Sequence, residues 1–234
     1  MSTSGEILLI DKPKGITSFD VIRVLRKKLG VKKIGHAGTL DPFATGLLIV
    51  GVGAWTKRMK EFETLPKTYL MDVRFGMRTD TGDPEGKILE EREVLFSNSR
   101  ELENKEKEGA QKISLKQVEE VLAKMEGELE LPIPKYSAIK HKGVPLYKYA
   151  RRGIEVEEKL RTTKIFYLKL LKIIPELEYI IAQIEMKAEK GTYARAVAEE
   201  IGRRLNVPAM LQDLRRTKIG DIDVSDAKRI EEIQ

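Results

Sequence analysis

The apolar positions of this chain follow two rhythms, and each change of rhythm marks an element. Residues 7–10 form a short unbroken apolar run that ends in Asp11-Lys12-Pro13-Lys14-Gly15, the pattern of a buried strand followed by a turn. From Thr17 the spacing turns helical. Val21, Ile22, Leu25 and Leu29 share a face, Asp20 stands three residues after Thr17, Lys27 and Lys28 fill the last turn, and Gly30 closes it. Residues 46–52 are again a continuous apolar run, either a strand buried on both faces or a buried helical turn. Residues 68–75 alternate, with Tyr69, Met71, Val73 and Phe75 on one side and Thr68, Leu70, Asp72 and Arg74 on the other. A turn-rich stretch over 78–86 and a second strand over 87–93 then predict a hairpin.

The polar stretch 97–112 reads as a surface loop or a solvated helical turn. Ser114 with Gln117 is a capping-box start for a helix whose stripe is Val118, Val121, Leu122 and Met125 and whose end is Gly127. Leu131-Pro132-Ile133-Pro134 is stiff and extended. Ala182, Ile184, Met186 and Ala188 alternate with Gln183, Glu185, Lys187 and Glu189, a half-buried strand that runs into a helix through Val197, Ile201 and Leu205. A last helix is expected over 225–233. No repeat and no linker stands out, and strands mixed with helices at hairpin spacing point to the α+β class.

Composition narrows the chemistry. With 41% hydrophobic and 34% charged residues, the chain can bury a core and charge its surface, so disorder is excluded for most of it. Lys and Arg exceed Asp and Glu by 43 to 37, a modest basic excess that hints at a polyanion. Arg23, Arg26, Lys27, Lys28, Lys32 and Lys33 cluster without an acid among them, which suits either a solvated helix face or a stripe facing phosphates. The absence of cysteine excludes disulfides, thiol nucleophiles and cysteine-based metal centres. With only His36 and His141, a His-rich metal site is not expected. The first residues carry no signal-peptide pattern, and the longest apolar run, 46–54, is too short for a bilayer, so a cytoplasmic protein away from membranes is expected.

Gly35-His36-Ala37-Gly38-Thr39-Leu40-Asp41-Pro42 is the densest candidate for chemistry. Two glycines and a proline impose an unusual backbone path, and a carboxylate on a stiff loop is held in place. Asp-Pro is also an ordinary turn starter, so this segment alone leaves both readings open. In Lys190-Gly191-Thr192-Tyr193-Ala194-Arg195, an arginine at a strand-to-turn transition could hold a carboxylate ionised; it could equally be a surface cation beside a core tyrosine. Tyr69 reads as core or as a third candidate.

Taken together, these segments resemble the TruB family of pseudouridine synthases, in its bacterial form. The match runs through Leu9-Ile10-Asp11-Lys12-Pro13-Lys14-Gly15, the 35–42 segment with Ala44-Thr45-Gly46, Lys67-Thr68-Tyr69 and Arg78-Thr79-Asp80-Thr81. It continues through Pro134-Lys135-Tyr136-Ser137-Ala138, Leu146-Tyr147 with Tyr149-Ala150-Arg151, the 190–195 segment and Leu214-Arg215-Arg216. The order covers about residues 5–220. The resemblance implies a pseudouridine synthase fold, a mixed and mainly antiparallel sheet flanked by helices, forming one catalytic domain over 1–234. It also implies conversion of the uridine at position 55, in the T-arm loop of tRNA, to pseudouridine.

By the same resemblance Asp41 is the nucleophile, Tyr69 stacks on the uracil and moves a proton, and Arg195 pairs with Asp41. Tyr193 and Leu214 line the uracil pocket, and His36 enters the RNA loop. Lys12 and Pro13 support the active-site loop and the tyrosine strand. Gly35, Lys190 and Arg216 join the substrate contacts, and the basic residues of 23–33 and 215–218 meet phosphates. The expected partner is the T-arm stem-loop of tRNA, with a monomer acting without a protein partner, metal or cofactor. Members usually carry a small C-terminal RNA-binding domain of the PUA type, for which too few residues follow 225–233. Three other readings remain. One is a guide-dependent pseudouridine synthase subunit. The second is an RNA-folding or RNA-binding module with secondary catalysis. The third is a hydrolase with paired carboxylates, for which no second acid is evident.

Overall fold

The computed structural model describes residues 5–97, 111–176 and 179–234. In chain order these form β1 (Ile7–Lys12), α1 (Ser18–Leu29), β2 (Ile34–Ala37), β3 (Thr45–Val52), a 3-10 turn (Gly53–Arg58), α2 (Met59–Thr64) and β4 (Lys67–Phe75). There follow β5 (Met77–Thr79), β6 (Ile88–Glu91), β7 (Val94–Ser97), β8 (Gln111–Ser114), α3 (Leu115–Ala123), β9 (Gly127–Pro132), β10 (Lys140–His141), β11 (Val144–Pro145) and α4 (Leu146–Ala150). The chain closes with β12 (Leu160–Pro175), β13 (Ile180–Ala188), α5 (Ala194–Leu205), β14 (Ala209–Ile219), β15 (Ile222–Asp223) and 3-10 turns at Val224–Asp226 and Ile230–Glu232. This is the mixed, mainly antiparallel α+β architecture that the sequence predicts. Contacts divide it into two compact units, one within Met1–Leu70, Lys187–Lys190 and Asp213–Gln234, the other within Met71–Met186 and Gly191–Gln212.

In the first unit the sheet runs β1-β3-β14-β4. The apolar run 46–52 is a strand buried on both faces. Leu48 and Val50 pack with Ile10, Val21, Ile22 and Leu25 on the α1 side. Leu47 and Ile49 pack with Ala37, Met59 and Ile219 on the other. Helix α1 starts where its sequence says it should: Thr17 and Asp20 form a reciprocal capping box, and Gly30 caps the end in the left-handed conformation. One edge of β3 is covered by β1, from Lys12↔Gly46 to Ile7↔Gly51. Two strands share its other edge. β2 pairs antiparallel from Ile34↔Val52 to Ala37↔Ile49, and β14 pairs parallel at Arg215↔Thr45 and Arg216↔Gly46.

In the second unit the order is β4-β13-β12-β9. The alternation expected of β13 is present: Ala182, Ile184 and Met186 are fully buried, as are Met71, Val73 and Phe75 of β4. Helix α5 buries Val197, Ile201 and Leu205, and α3 buries Val118 and Leu122 behind a Ser114–Gln117 capping box.

Four expectations need correction. The strand after the 78–86 turn returns on β5, not on β4, with a register shift between Arg78 and Thr79. Helix α3 ends at Ala123, and Gly127, at φ +96°, opens β9 instead of closing the helix. The helix expected over 225–233 is two 3-10 turns separated by extended chain. Backbone bonds between Lys228 and strand β1 (Asp11 N to Lys228 O, 2.9 Å; Lys228 N to Leu9 O, 2.9 Å) pull it straight, while the Lys28 ammonium takes the carbonyls of Ile230, Glu231 and Ile233. Lys28, although exposed, and the half-buried Arg26, which donates to Ile34 O, are thus tied to the protein's own carbonyls. Of the polar stretch 97–112, Ser97 and residues 111–112 are strand; 98–110 lie outside the described residues. Among the described residues no helix is long and apolar enough to cross a membrane.

Leu25 is fully buried and Val24, its neighbour, is 41% exposed. Leu25→Ala is expected to cost about 2–5 kcal/mol of unfolding free energy, against no more than about 0.5 for Val24→Ala. Urea denaturation of both variants checks the difference.

Candidate active site

The loop between β2 and β3 begins where β2 leaves the edge of β3, so its backbone polar groups have no ladder to join. They are met one by one. Ser18 Oγ and the Leu40 backbone exchange bonds (Leu40 N to Ser18 Oγ, 2.9 Å; Ser18 Oγ to Leu40 O, 3.2 Å). Gly15 N donates to Pro42 O at 2.8 Å. Lys12, fully buried, donates to Pro13 O (3.0 Å), Pro42 O (3.2 Å) and Ala44 O (2.6 Å), so an ammonium with three protons meets three carbonyls. The Asp41 carbonyl accepts from Ala44 N at 3.1 Å, and the Asp41 side chain stands half-buried at the loop's crest. Asp11, beside Lys12, forms a bidentate pair with Arg215 (3.0 and 2.7 Å).

Beneath the same loop lies Arg216. Its Nε donates to Leu47 O at 2.8 Å and its Nη2 to Gly38 O at 3.0 Å. The Tyr69 phenol, half-buried on β4, is its electrostatic and hydrogen-bonding side-chain partner. Burial draws the guanidinium pKa below its ordinary value, and Tyr69 opposes that shift. Arg216 therefore needs correcting as a phosphate contact: at 1% exposure its donors are spent on the protein's own oxygens. Lys218 pairs with Asp223 at 3.2 Å.

His36, on β2 opposite Val50, is half-buried. Its Nδ1 has no hydrogen-bond partner among the described residues. Burial, reinforced by the charge of Arg216, holds its pKa below the usual histidine value. It is neutral at pH 7. Leu214 is buried on β14, its carbonyl facing Thr45 Oγ1 at 3.4 Å. Lys190 is exposed.

Lys67 was not singled out by sequence reasoning, although it opens the tyrosine segment. Its buried ammonium closes the C-terminal end of α2, donating to Phe62 O (3.4 Å), Glu63 O (2.6 Å) and Leu65 O (2.7 Å). Burial first, then the positive charges of Arg216 and Lys190, bring its pKa down to about 8.

The second unit holds Tyr193 and Arg195. Tyr193 is the N-cap of α5, half-buried, and Arg195 lies in the first turn. A cation at a helix N-terminus opposes the helix dipole, so its burial needs oxygen partners. Arg195 Nη1 donates to Thr81 O (2.8 Å) and Nη2 to Tyr136 O (3.0 Å), and Asp83 Oδ2 lies 3.5 Å from Nη1. Asp83 was missed by the sequence reading. The Thr81 hydroxyl (2.6 Å) and the Glu85 amide (3.1 Å) bind its Oδ1, so the turn aims the other oxygen at arginine. Gly82, at φ +74°, makes that turn possible, in the left-handed region that a side chain rarely adopts. Burial raises the Glu199 pKa, against the pull of Arg78 and Arg195. A cavity of about 420 Å³ opens here, lined by Arg78, Asp80, Thr81, Tyr136, Glu158 and Glu199 among others.

Comparison with known proteins places this geometry. The family model described as "TruB family pseudouridylate synthase (N terminal domain)" matches residues 26–194. A protein of Desulfotalea psychrophila named tRNA pseudouridine synthase B is 41% identical over 228 residues, covering 96% of this chain and 85% of that one. One of the same name from Endomicrobium trichonymphae is 38% identical, covering 97% and 90%. Among solved structures, a chain in "Structure of H/ACA RNP bound to a substrate RNA containing 2'-deoxyuridine" aligns at TM-score 0.66 and 22% identity, over 98% of this chain and 52% of that one. A chain in "Crystal Structure of a Cbf5-Nop10-Gar1 Complex" aligns at TM-score 0.63 and 24% identity. At that identity the likeness concerns the fold, and the chain spans about half the length of those solved chains.

The lowered pKa of Lys67 carries a sign for stability. Between about 8 and 10.5 the folded state holds this lysine neutral while the unfolded state still protonates it, so the fold gains as pH rises through that window. Below pH 8 the cost of the buried charge is constant. Wild type should therefore gain stability relative to Lys67→Met as pH rises from 8 towards 10.5, read from denaturant midpoints at stepped pH. Parallel curves for the two proteins would contradict it.

Proposed function

Starting from the premise that the chain belongs to the TruB family of pseudouridylate synthases, we propose that it isomerises the uridine at position 55, in the T-arm loop of tRNA, to pseudouridine. The observation that carries this reading is Asp41. It is a half-buried carboxylate on a loop whose carbonyls at Gly38, Pro42 and Ala44 are anchored by buried cations, in the unit that also holds Tyr69.

The reaction breaks the N1–C1′ bond, turns the base over and joins C1′ to C5. N1 gains the proton that C5 loses, so atoms balance without an oxidant or a second substrate. A carboxylate held in one place is suited to covalent attack during this exchange. The target base is stacked in a folded loop and has to be extruded into a pocket with an aromatic face and apolar walls. Tyr69 is assigned to that face, Tyr193 and Leu214 to the walls, and His36 to the space the base vacates. A neutral imidazole suits insertion among bases, since it brings no charge into the stack. Arg195 is assigned a catalytic role. The RNA partner is the T-arm stem-loop, and the chain acts alone, as a cytoplasmic monomer without metal or cofactor.

Carbodiimide mapping of a T-arm minihelix, treated with the purified chain and no other factor, tests the proposal. Wild type should mark the T-loop uridine, and Asp41→Ala should not. Tyr69→Phe is expected to slow conversion by about 10²–10⁴-fold through loss of a proton-transfer group. Wild-type protein that leaves the uridine unmodified sinks the reading. Conversion that appears only with an added guide ribonucleoprotein moves it to the guide-dependent class.

A further inference from the structure

Two strands share one edge of β3, and they do not meet. β2 stops pairing at Ala37↔Ile49, and β14 starts at Arg216↔Gly46. The Leu47 carbonyl lies between them. A carbonyl left bare in a buried strand costs about 1–3 kcal/mol. Here it is taken by Arg216 Nε at 2.8 Å, and Nη2 of the same guanidinium reaches Gly38 O, at the root of the Asp41 loop, at 3.0 Å. The third partner is the Tyr69 phenol.

Two glycines lie against Arg216. Gly38 stands at φ +74°, and a Cβ there would lie 3.4 Å from Arg216 Nη1 and 3.8 Å from Lys67 Cε. Gly46 stands at φ +103°, and a Cβ there would overlap the backbone of Arg216. Gly46 therefore lets β3 come close to the β14 backbone at Arg216, while Gly38 supplies a left-handed turn beside the guanidinium.

We infer that Arg216 is a positioning residue: its rigid guanidinium plugs the gap in the edge of β3 and fixes the Asp41 loop, through Gly38 O, against the Tyr69 phenol. The role needs a planar fork with several fixed donors. A lysine reaches one acceptor at a time and leaves the loop root free to shift. A displacement of about 1 Å in a reacting group is enough to lose roughly a hundredfold in rate.

The inference rests on the proposed activity for its kinetic arm and stands without it for its structural arm. In Arg216→Lys, single-turnover conversion should fall about a hundredfold while the dissociation constant for the minihelix stays within about threefold, because the change lies under the loop and away from phosphates. Combining Arg216→Lys with Tyr69→Phe should cost less than the product of the two single losses, since the second change removes what the first one positions. Amide hydrogen exchange over residues 38–41 should speed up in Arg216→Lys while β1 and β3 keep their protection. Wild-type rate in a folded Arg216→Lys, or unchanged exchange over 38–41, overturns the inference. If wild type itself fails to modify RNA, the functional reading falls, and the exchange result alone decides this one. Should Arg216→Lys not fold, Arg216→Gln, which keeps a planar donor, carries the same comparison. Global unfolding of both would make Arg216 a residue of the fold alone and overturn the positioning role.

Discussion

A buried cation surrounded by backbone carbonyls is the interaction on which the first unit depends. Lys12 and Arg216 are both almost wholly removed from water, and an isolated charge so placed would cost several kcal/mol. Each is tolerated because the β2–β3 loop offers carbonyls that no strand can satisfy: Pro42 and Ala44 to the ammonium, Gly38 to the guanidinium. The need is mutual. The loop carbonyls have no ladder to join, and the buried cations need oxygens around them. The consequence is a loop whose crest carries Asp41 half-exposed while its roots are held from below.

The second unit repeats the logic at a helix end. Arg195 stands in the first turn of α5, where the helix dipole disfavours a cation, and its burial is made possible by the carbonyls of Thr81 and Tyr136 and by Asp83. The Asp83 carboxylate is itself held by a hydroxyl and an amide of its own turn, so its direction is set locally. In both units the candidate groups are oriented by backbone oxygens and local turns, which hold a fixed geometry better than long flexible side chains do.

The elements were legible wherever local chemistry decides. The Thr17–Asp20 and Ser114–Gln117 capping boxes, the Gly30 stop and the alternation through Met186 are short-range signals, and the structure contains each of them. The 225–233 stretch was misread because its outcome lies elsewhere: Lys28 and strand β1 compete for its backbone groups and win over a weak helical pattern. The return strand after 78–86 was recognised, but its partner was not. Pairing depends on which edge is free, and β5 supplies one within three residues of a bulge.

By itself the sequence determined the α+β class, the family and the segments on which chemistry could rest, because caps, alternation and motif order are written in neighbouring residues. Only the tertiary structure decided what each charged residue does. Lys12, Arg23, Lys67, Arg215 and Arg216 are indistinguishable as letters in a basic chain. Two become buried anchors of the Asp41 loop, one closes a helix, one pairs with Asp11, and one pairs with Asp20 at the surface. The reason is physical: burial and the supply of unpaired carbonyls set the role of a cation, and both arise only when distant strands such as β3 and β14 come together.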